Sequence, residues 1–321
     1  MIQEKTSPIA RFSALLHSIG PALMLVVLLI FATSMSDVFL SQRNLFNVLR
    51  QVSGIGLISV GMLFVILTRG IDLSVGSVAA LGSVTSAIIV QQYGTGAAIG
   101  MVIIVGAACG LLSGLLVALL RLPPFVTTLA VMTIARGAAL IASNGQPIRM
   151  GSAGDLITEF GVGSLAGVPY PVILMVAVFV IAGLVLTYTR FGRMVKAVGS
   201  NAEAVRLSGI SIARYEVSVY VISGILAALA GVISSSRTGI GSATISVGAE
   251  LDAIAAVVIG GASLLGGRGG AINTFIGVCI LGVISNLMNL AHVPGYHQQV
   301  FMGVIIIIAM LLQYGTAALR R

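Results

Sequence analysis

Apolar runs long enough to cross a lipid bilayer follow one another along nearly the whole chain, separated by short polar breaks. A helix needs about 20 residues to span the hydrocarbon, whereas a barrel strand needs about 10 with strict alternation, which these runs lack. The pattern predicts helices over 20–35, 52–68, 74–92, 97–120, 124–143, 170–189, 214–236, 252–265, 270–290 and 298–313. The fold class that follows is all-α: a polytopic membrane helical bundle of about ten transmembrane helices, forming a single domain over 1–321. Two segments fit less well: the polar prelude 44–51 has helical character of its own, and 252–265 is short for a crossing. The Ser/Thr/Gly-rich stretch 238–249 carries no charge and reads as an outer loop or a short re-entrant piece shielded by protein. The segment 144–169, with Asp155 and Glu159, is the longest expected outer connection.

Composition agrees with this picture. Hydrophobic residues make up 58% and charged residues 8%, against roughly 25% charged in soluble domains. The net charge of +8 raises the question of nucleic acid, and placement answers it. With both termini inside, the spans put Lys5, Arg11, Arg69, Arg121, Arg190, Arg193, Lys196, Arg206, Arg214, Arg268, Arg320 and Arg321 in the cytoplasm. Only Arg43, Arg50, Arg149 and Arg237 fall outside, with Arg136 inside a span. That asymmetry is the topological bias of membrane proteins, so no nucleic-acid partner is expected. Lys5 and Arg11 ahead of the apolar run 22–32 imitate a secretory signal, but the membrane spans that follow mark a retained first helix. The 40 glycines, Gly56/Gly61 and Gly106/Gly110/Gly114 among them, predict close helix packing. Cys109 and Cys279 sit in apolar runs and read as small packing residues.

The one long charge-bearing island lies at 190–213. Asn201 is placed to cap a short helix through Leu207, with Glu203 in its first turn and Arg206 in its last, both matching the helix dipole. Gly209 supplies a left-handed terminator, and Ala204, Val205 and Leu207 form a small apolar face. Such a peg suits a protein groove, and Arg193 and Lys196 extend the contact. The competing reading is a surface helix whose Arg190, Arg193 and Lys196 rest on anionic lipid.

Other polar groups are candidates for a path or gate. Asp72 and Ser74 stand where the second span gives way to the third, with Arg69 as a partner for the carboxylate and helix capping as the alternative role. Glu250 and Asp252 open the eighth span from the outer side, where a helix N-terminus favours acids. Asn44, Asn47, Gln51, Thr127, Thr128, Asn273, Asn286 and Asn289 form a pool suited to the hydroxyls of an uncharged polar solute or, equally, to interhelical hydrogen bonds. Arg136 must be paired or snorkel. His17, His292 and His297 have no metal spacing, and the last two read as loop residues. A faint likeness between 71–77 and 260–269, each a polar turn between helices, suggests two related halves about a pseudo-symmetry axis.

Four blocks occur in order: Asn44-Leu45-Phe46-Asn47, Gly70-Ile71-Asp72-Leu73-Ser74-Val75-Gly76-Ser77, the island, and the run from Glu250-Leu251-Asp252 to Gly260-Gly261. In these the chain resembles the permeases of binding-protein-dependent ABC importers for ribose, xylose, other simple sugars and the furanosyl autoinducer, most of all the ribose type. The likeness covers about 44 to 312. It implies an ABC ATPase subunit as partner, a periplasmic or extracellular sugar-binding protein, a second permease copy, and residence in the bacterial inner membrane. It also implies that 190–213 couples to the ATPase. No G-x-x-x-x-G-K-[ST] loop occurs, so ATP belongs to the partner and this chain is expected to bind no cofactor or metal of its own. Catalytic motifs are absent from the sequence, which argues against an enzyme. The alternative function is a self-sufficient secondary transporter, which needs ion sites near the membrane centre.

Overall fold

A computed structural model describes residues 8–318, with side chains placed from residue 19 to 305 and at 307. Lys5, Arg320 and Arg321 therefore lie outside the described residues, as do the side chains of Arg11 and His17 and most of the segment 306–313. The first helices are α1 (Pro8–Met35), α2 (Gln42–Leu67), α3 (Val75–Ala118) and α4 (Pro124–Ser143). A short strand β1 (Ile148–Arg149), α5 (Asp155–Val162) and the hairpin β2 (Ser164–Leu165) with β3 (Val168–Pro169) follow. Next come α6 (Tyr170–Tyr188), α7 (Arg190–Ser200), α8 (Ala202–Leu207) and α9 (Ile212–Ser236). The chain ends with β4 (Ile240–Gly241), α10 (Ala249–Ile259), α11 (Ala271–Leu290) and α12 (Gly295–Ala318). Six of the described helices, α2, α3, α4, α6, α9 and α11, are long and apolar enough to cross a membrane. The protein is thus an all-α, multi-pass membrane bundle.

The hub is α9. Its small residues allow backbones to come close: a methyl added at Gly61 would stand 2.8 Å from Ser223 Cα, and one at Gly106 would stand 2.5 Å from Gly224 O. Gly110 and Gly114 continue that stripe against Tyr220 and Val217, so the expected small-residue packing is realised. Gly56 instead meets Met175 of α6.

At 44 residues, α3 would be about 66 Å long if straight. It is broken at Gly94 (φ 79°, ψ 176°), a conformation open to glycine. Along the first arm, Asp72 meets Ser223 and Ser86 meets Ser235. Along the second, Gly106, Gly110 and Gly114 descend α9 from Gly224 to Val217. The two arms run in opposite directions, so α3 is a helical hairpin wrapped on α9.

Several expected boundaries move. The polar prelude belongs to α2, which starts at Gln42 behind a Ser41 cap. The expected helix 252–265 is a correction: α10 ends at Ile259 after 11 residues, about 17 Å, half a crossing. The chain reaches it through the irregular segment 242–248, whose carbonyls need partners. Arg136 supplies them, donating to Ala243 O (2.5 Å) and Ile245 O (2.9 Å), which is how an arginine at helix depth is satisfied. Ser83 Oγ accepts from Ser242 N (3.2 Å), and β4 pairs with β1 through Ile148 and Gly241. The segments 144–169 and 238–249 thus lie together. His297 falls in the first turn of α12, not in the loop before it.

The N-terminus of α2 is tied to α11 by a reciprocal amide pair: Asn44 Nδ2 donates to Asn286 Oδ1 (3.0 Å) and Asn286 Nδ2 to Asn44 Oδ1 (2.9 Å). Asn286 is buried, so truncating either partner strands an amide. Asn44→Leu and Asn286→Leu should each cost about 1–2 kcal/mol, and the double variant should cost less than their sum. A double-mutant cycle on thermal unfolding in detergent would measure this.

Candidate functional site

The charged island folds as two short helices joined end to end. Thr189 opens α7, its Oγ1 accepting from Gly192 N (3.1 Å). The inner face of α7 is Gly192, Val195, Val198 and Gly199, all buried. This three-and-four spacing is a helical stripe that a closer reading of the sequence had available.

As expected, Asn201 caps α8: its Oδ1 accepts from Ala204 N (3.0 Å). Gly209, at φ 74°, ends it. Its N–H donates to Arg206 O (3.0 Å) while Ile210 N–H donates to Val205 O (3.4 Å), the paired bonds of a Schellman stop. Glu203 and Arg206 do more than match the dipole. Arg206 Nε and Nη2 donate to the two Glu203 oxygens at 2.9 and 2.5 Å, the only salt bridge among the described residues. Hydrogen bonds from Arg206 hold the Glu203 carboxyl below its ordinary value of 4.5. The pair therefore contributes fully above that value and is lost only as pH falls through the lowered one.

One expectation is corrected. Ala204, Val205 and Leu207 do not share a face: Val205 is buried and anchors the helix, while Ala204 is exposed and Leu207 is 77% exposed. Positions 204 and 207 are neighbours one turn apart, so the outward surface is Ala204, Leu207 and the Glu203–Arg206 pair. Arg193 is exposed and donates to Tyr188 O (3.3 Å). Lys196 is half-buried beside a cleft between α6 and α11.

Sequence reasoning missed what holds this element to the bundle. Arg69 does not pair with Asp72. Its Nε donates to Gly199 O (2.6 Å) and its Nη2 to Ser200 O (2.8 Å), closing the carbonyl end of α7 with a cation. Gly267 N donates to Leu67 O (3.0 Å) at the same place. A larger cleft of about 870 Å³ lies behind α8, its walls including Arg69, Arg121, Glu203, Arg206, Glu216 and Tyr220.

The path candidates do not form one site. Asn47 and Gln51 are exposed near the start of α2, and Asn44 is spent on Asn286. Asp72 is buried near the opposite end of α2. Its Oδ1 accepts from Ser74 N (3.0 Å) and Ser74 Oγ (2.6 Å), and its Oδ2 from Ser223 Oγ (2.8 Å). Ser223 lies eleven residues into α9, about 16 Å along it. Glu250 and Asp252 head α10, but not at an outer rim. The Glu250 carboxylate packs over Gly76 in the first turn of α3, close to the depth of Asp72. Asn273 lines the cleft beside Lys196. Thr127 and Thr128 bond back to Pro123 O and Pro124 O, and Asn289 accepts from Gln298 (2.9 Å).

The bundle thus carries two helices, α3 and α10, that begin beside one another within it, and a capped helix pair on its surface. The family described as "Branched-chain amino acid transport system / permease component" matches residues 44–310. The ribose import permease protein of Escherichia coli (strain K12) is 42% identical over 291 residues, covering 90% of this chain and 91% of that protein. Its counterpart in Bacillus subtilis (strain 168) is 43% identical over 306 residues, 94% of each chain. The L-arabinose ABC transporter permease protein of Azospirillum brasilense is 37% identical over 292 residues, 90% of this chain and 86% of that one. No solved structure matches the chain. The chain belongs to the family of transport-system permease components, whose members serve transport, not catalysis.

Proposed function

We propose that this chain is the membrane-spanning subunit of an ATP-driven importer for ribose or a closely similar monosaccharide. It works with a separate ABC ATPase, an external sugar-binding protein and a second permease copy in a bacterial inner membrane. The substrate class rests on the sugar permeases that match nine-tenths of the chain. A branched-chain amino acid, the solute in the family's description, has only that description in its favour.

The observation that carries the mechanism is the α7–α8 pair, which is capped at both starts, stopped by Gly209 and turned outward at Leu207. It is the lever on which the ATPase acts, with Arg193, Lys196, Asn201, Glu203, Ala204, Arg206 and Gly209 forming or shaping the contact. Motion of that lever opens and closes the passage by rigid-body rearrangement. Taking the two arms of α3 as separate spans, and α10 with its irregular approach as another, supports ten crossings with both termini cytoplasmic. The turns 71–77 and 260–269, which lead into α3 and α11, are then related elements of two halves, and the start of α10 packs beside the first of them. Asp72, Ser74, Glu250 and Asp252 lie there, at the broken-helix depth where transporters handle solute. Asn47, Gln51 and Asn273 offer uncharged groups to sugar hydroxyls, which carry no charge to steer them. The family gives no support to a self-sufficient secondary transporter.

Reconstitution decides the matter. Proteoliposomes with the chain, its ATPase and its sugar-binding protein should accumulate radiolabelled ribose only with ATP, and excess leucine should not compete. Uptake by the chain alone would refute the reading.

A further inference from the structure

We propose that Arg69 is the positioning residue that passes motion of the α7–α8 lever into the centre of the bundle. The inference rests on reading α7 and α8 as that lever.

The chain offers the lever a covalent exit through Gly209 to the start of α9, but Gly209 is exposed, and a methyl added there would meet nothing within 4 Å. Beyond the two backbone bonds of its helix stop, that joint is not packed against the bundle. The opposite end of the pair, at Gly199 and Ser200, is held. The Arg69 guanidinium spans the last two carbonyls of α7 at 2.6 and 2.8 Å, a two-point grip that a planar fork holds in fixed geometry and an ammonium, with its rotatable donors, holds less rigidly. Arg69 adopts φ 68° to do so, a left-handed backbone uncommon for a residue with a side chain. Beside it Leu67 O takes the Gly267 amide (3.0 Å), and Gly199 is packed onto both: an added methyl would be driven into Leu67 O and stand 2.6 Å from Gly267 N.

Three residues beyond Arg69, Asp72 bonds Ser74 at the start of α3 and Ser223 in α9. The segment 67–74 is therefore bonded to the lever at one end and to two bundle helices at the other. Asp72 is buried, so its bonds do not exchange with bulk water. A shift of α7 draws this segment with it and changes the seat of α3 on α9. The cleft borders one side of the lever, and the buried face of α7 packs on α2, α6 and α9; the Arg69 grip is the polar tie that joins the end of α7 to the segment 67–74.

The test uses proteoliposomes holding the chain, its ATPase and its sugar-binding protein, with radiolabelled ribose moved per ATP hydrolysed as the readout. Arg69→Gln should hydrolyse ATP yet move roughly tenfold less ribose per ATP, the size of effect expected for a coupling residue. Arg69→Lys should fall between. Ser223→Ala leaves Arg69 in place and cuts the far end of the same segment, so it should lower the same ratio. A purely structural role would reduce the amount of complex and leave the ratio unchanged. Wild-type ratios in both Arg69→Gln and Ser223→Ala would overturn the proposal while ATP-driven transport by the unaltered chain stood. ATP-independent uptake by the unaltered chain would remove the lever and this role together.

Discussion

Replacing Gly199 with alanine is expected to abolish transport and to destabilise the bundle at the end of α7 by roughly 2–3 kcal/mol, the range for overpacking a site that has no room. The obstruction is backbone on both sides, Leu67 O and Gly267 N, so no side-chain rotamer relieves it. To make space, the end of α7 must withdraw from the 67–69 turn, which also breaks the two carbonyl bonds to Arg69. Gly209→Ala is the control. Its φ of 74° makes any side chain strained, at about 1–2 kcal/mol, but nothing stands where the methyl would go. A bulkier or charged residue at Gly209 is expected to stop transport by distorting α8, whereas alanine there should be milder than alanine at Gly199. Uptake by cells, normalised to the amount of protein in the membrane, together with thermal unfolding in detergent, would check both. Equal behaviour of the two variants would show that the packing at Gly199 is unimportant.

The contrast between these glycines marks what the amino-acid order makes legible. Asn201, Gly209 and the Glu203–Arg206 pair announce themselves because caps, stops and three-residue pairs are local: every atom involved comes from within one short segment. Six long apolar helices are legible for a similar reason, since an apolar run reports its own helix, although the runs 74–92 and 97–120 join as the two arms of α3, and the glycine runs of α3 foretell close packing without naming its partner. Gly199 and Arg69 are silent because their meaning comes from residues about 130 positions apart along the chain. Asp72 invited pairing with Arg69 because the two are near in sequence, but the turn after α2 sends the arginine toward α7 and the carboxylate toward α9. The half-helix α10 is hidden differently. Apolar content is nearly continuous across 252–265, and nothing in hydropathy distinguishes a helix from the glycine-rich turn that follows Ile259. Arg136, a charge in a span that must find carbonyls no intact helix has to spare, could have signalled the irregular approach 242–248 ahead of α10, though not its end at Ile259.

Leu207→Asp is expected to leave the bundle folded and to uncouple it completely. Leu207 is 77% exposed at the tip of α8, and no part of the chain's own core depends on it. An exposed leucine beside Ala204 and a neutralised Glu203–Arg206 pair is a small apolar knob with a polar rim, the make-up of an interface centre. Burying a leucine in a partner contributes about 1.5–3 kcal/mol, and each 1.4 kcal/mol is a tenfold change in affinity. Truncation to alanine should therefore weaken capture of the ATPase roughly ten- to a hundredfold, and a carboxylate that must be desolvated should weaken it further. With the second permease copy proposed above, two such knobs would be presented and the losses would compound. Val205→Ala provides the opposing case: it empties a buried position and should lower thermal stability while leaving the outward surface in place. If instead α8 lies on lipid headgroups, Leu207→Asp should release that contact without affecting ATPase capture. Co-purification of the ATPase with the wild-type, Leu207→Ala, Leu207→Asp and Val205→Ala chains, at matched permease levels, would distinguish the two surfaces. Undiminished capture by Leu207→Asp would move the ATPase contact away from α8.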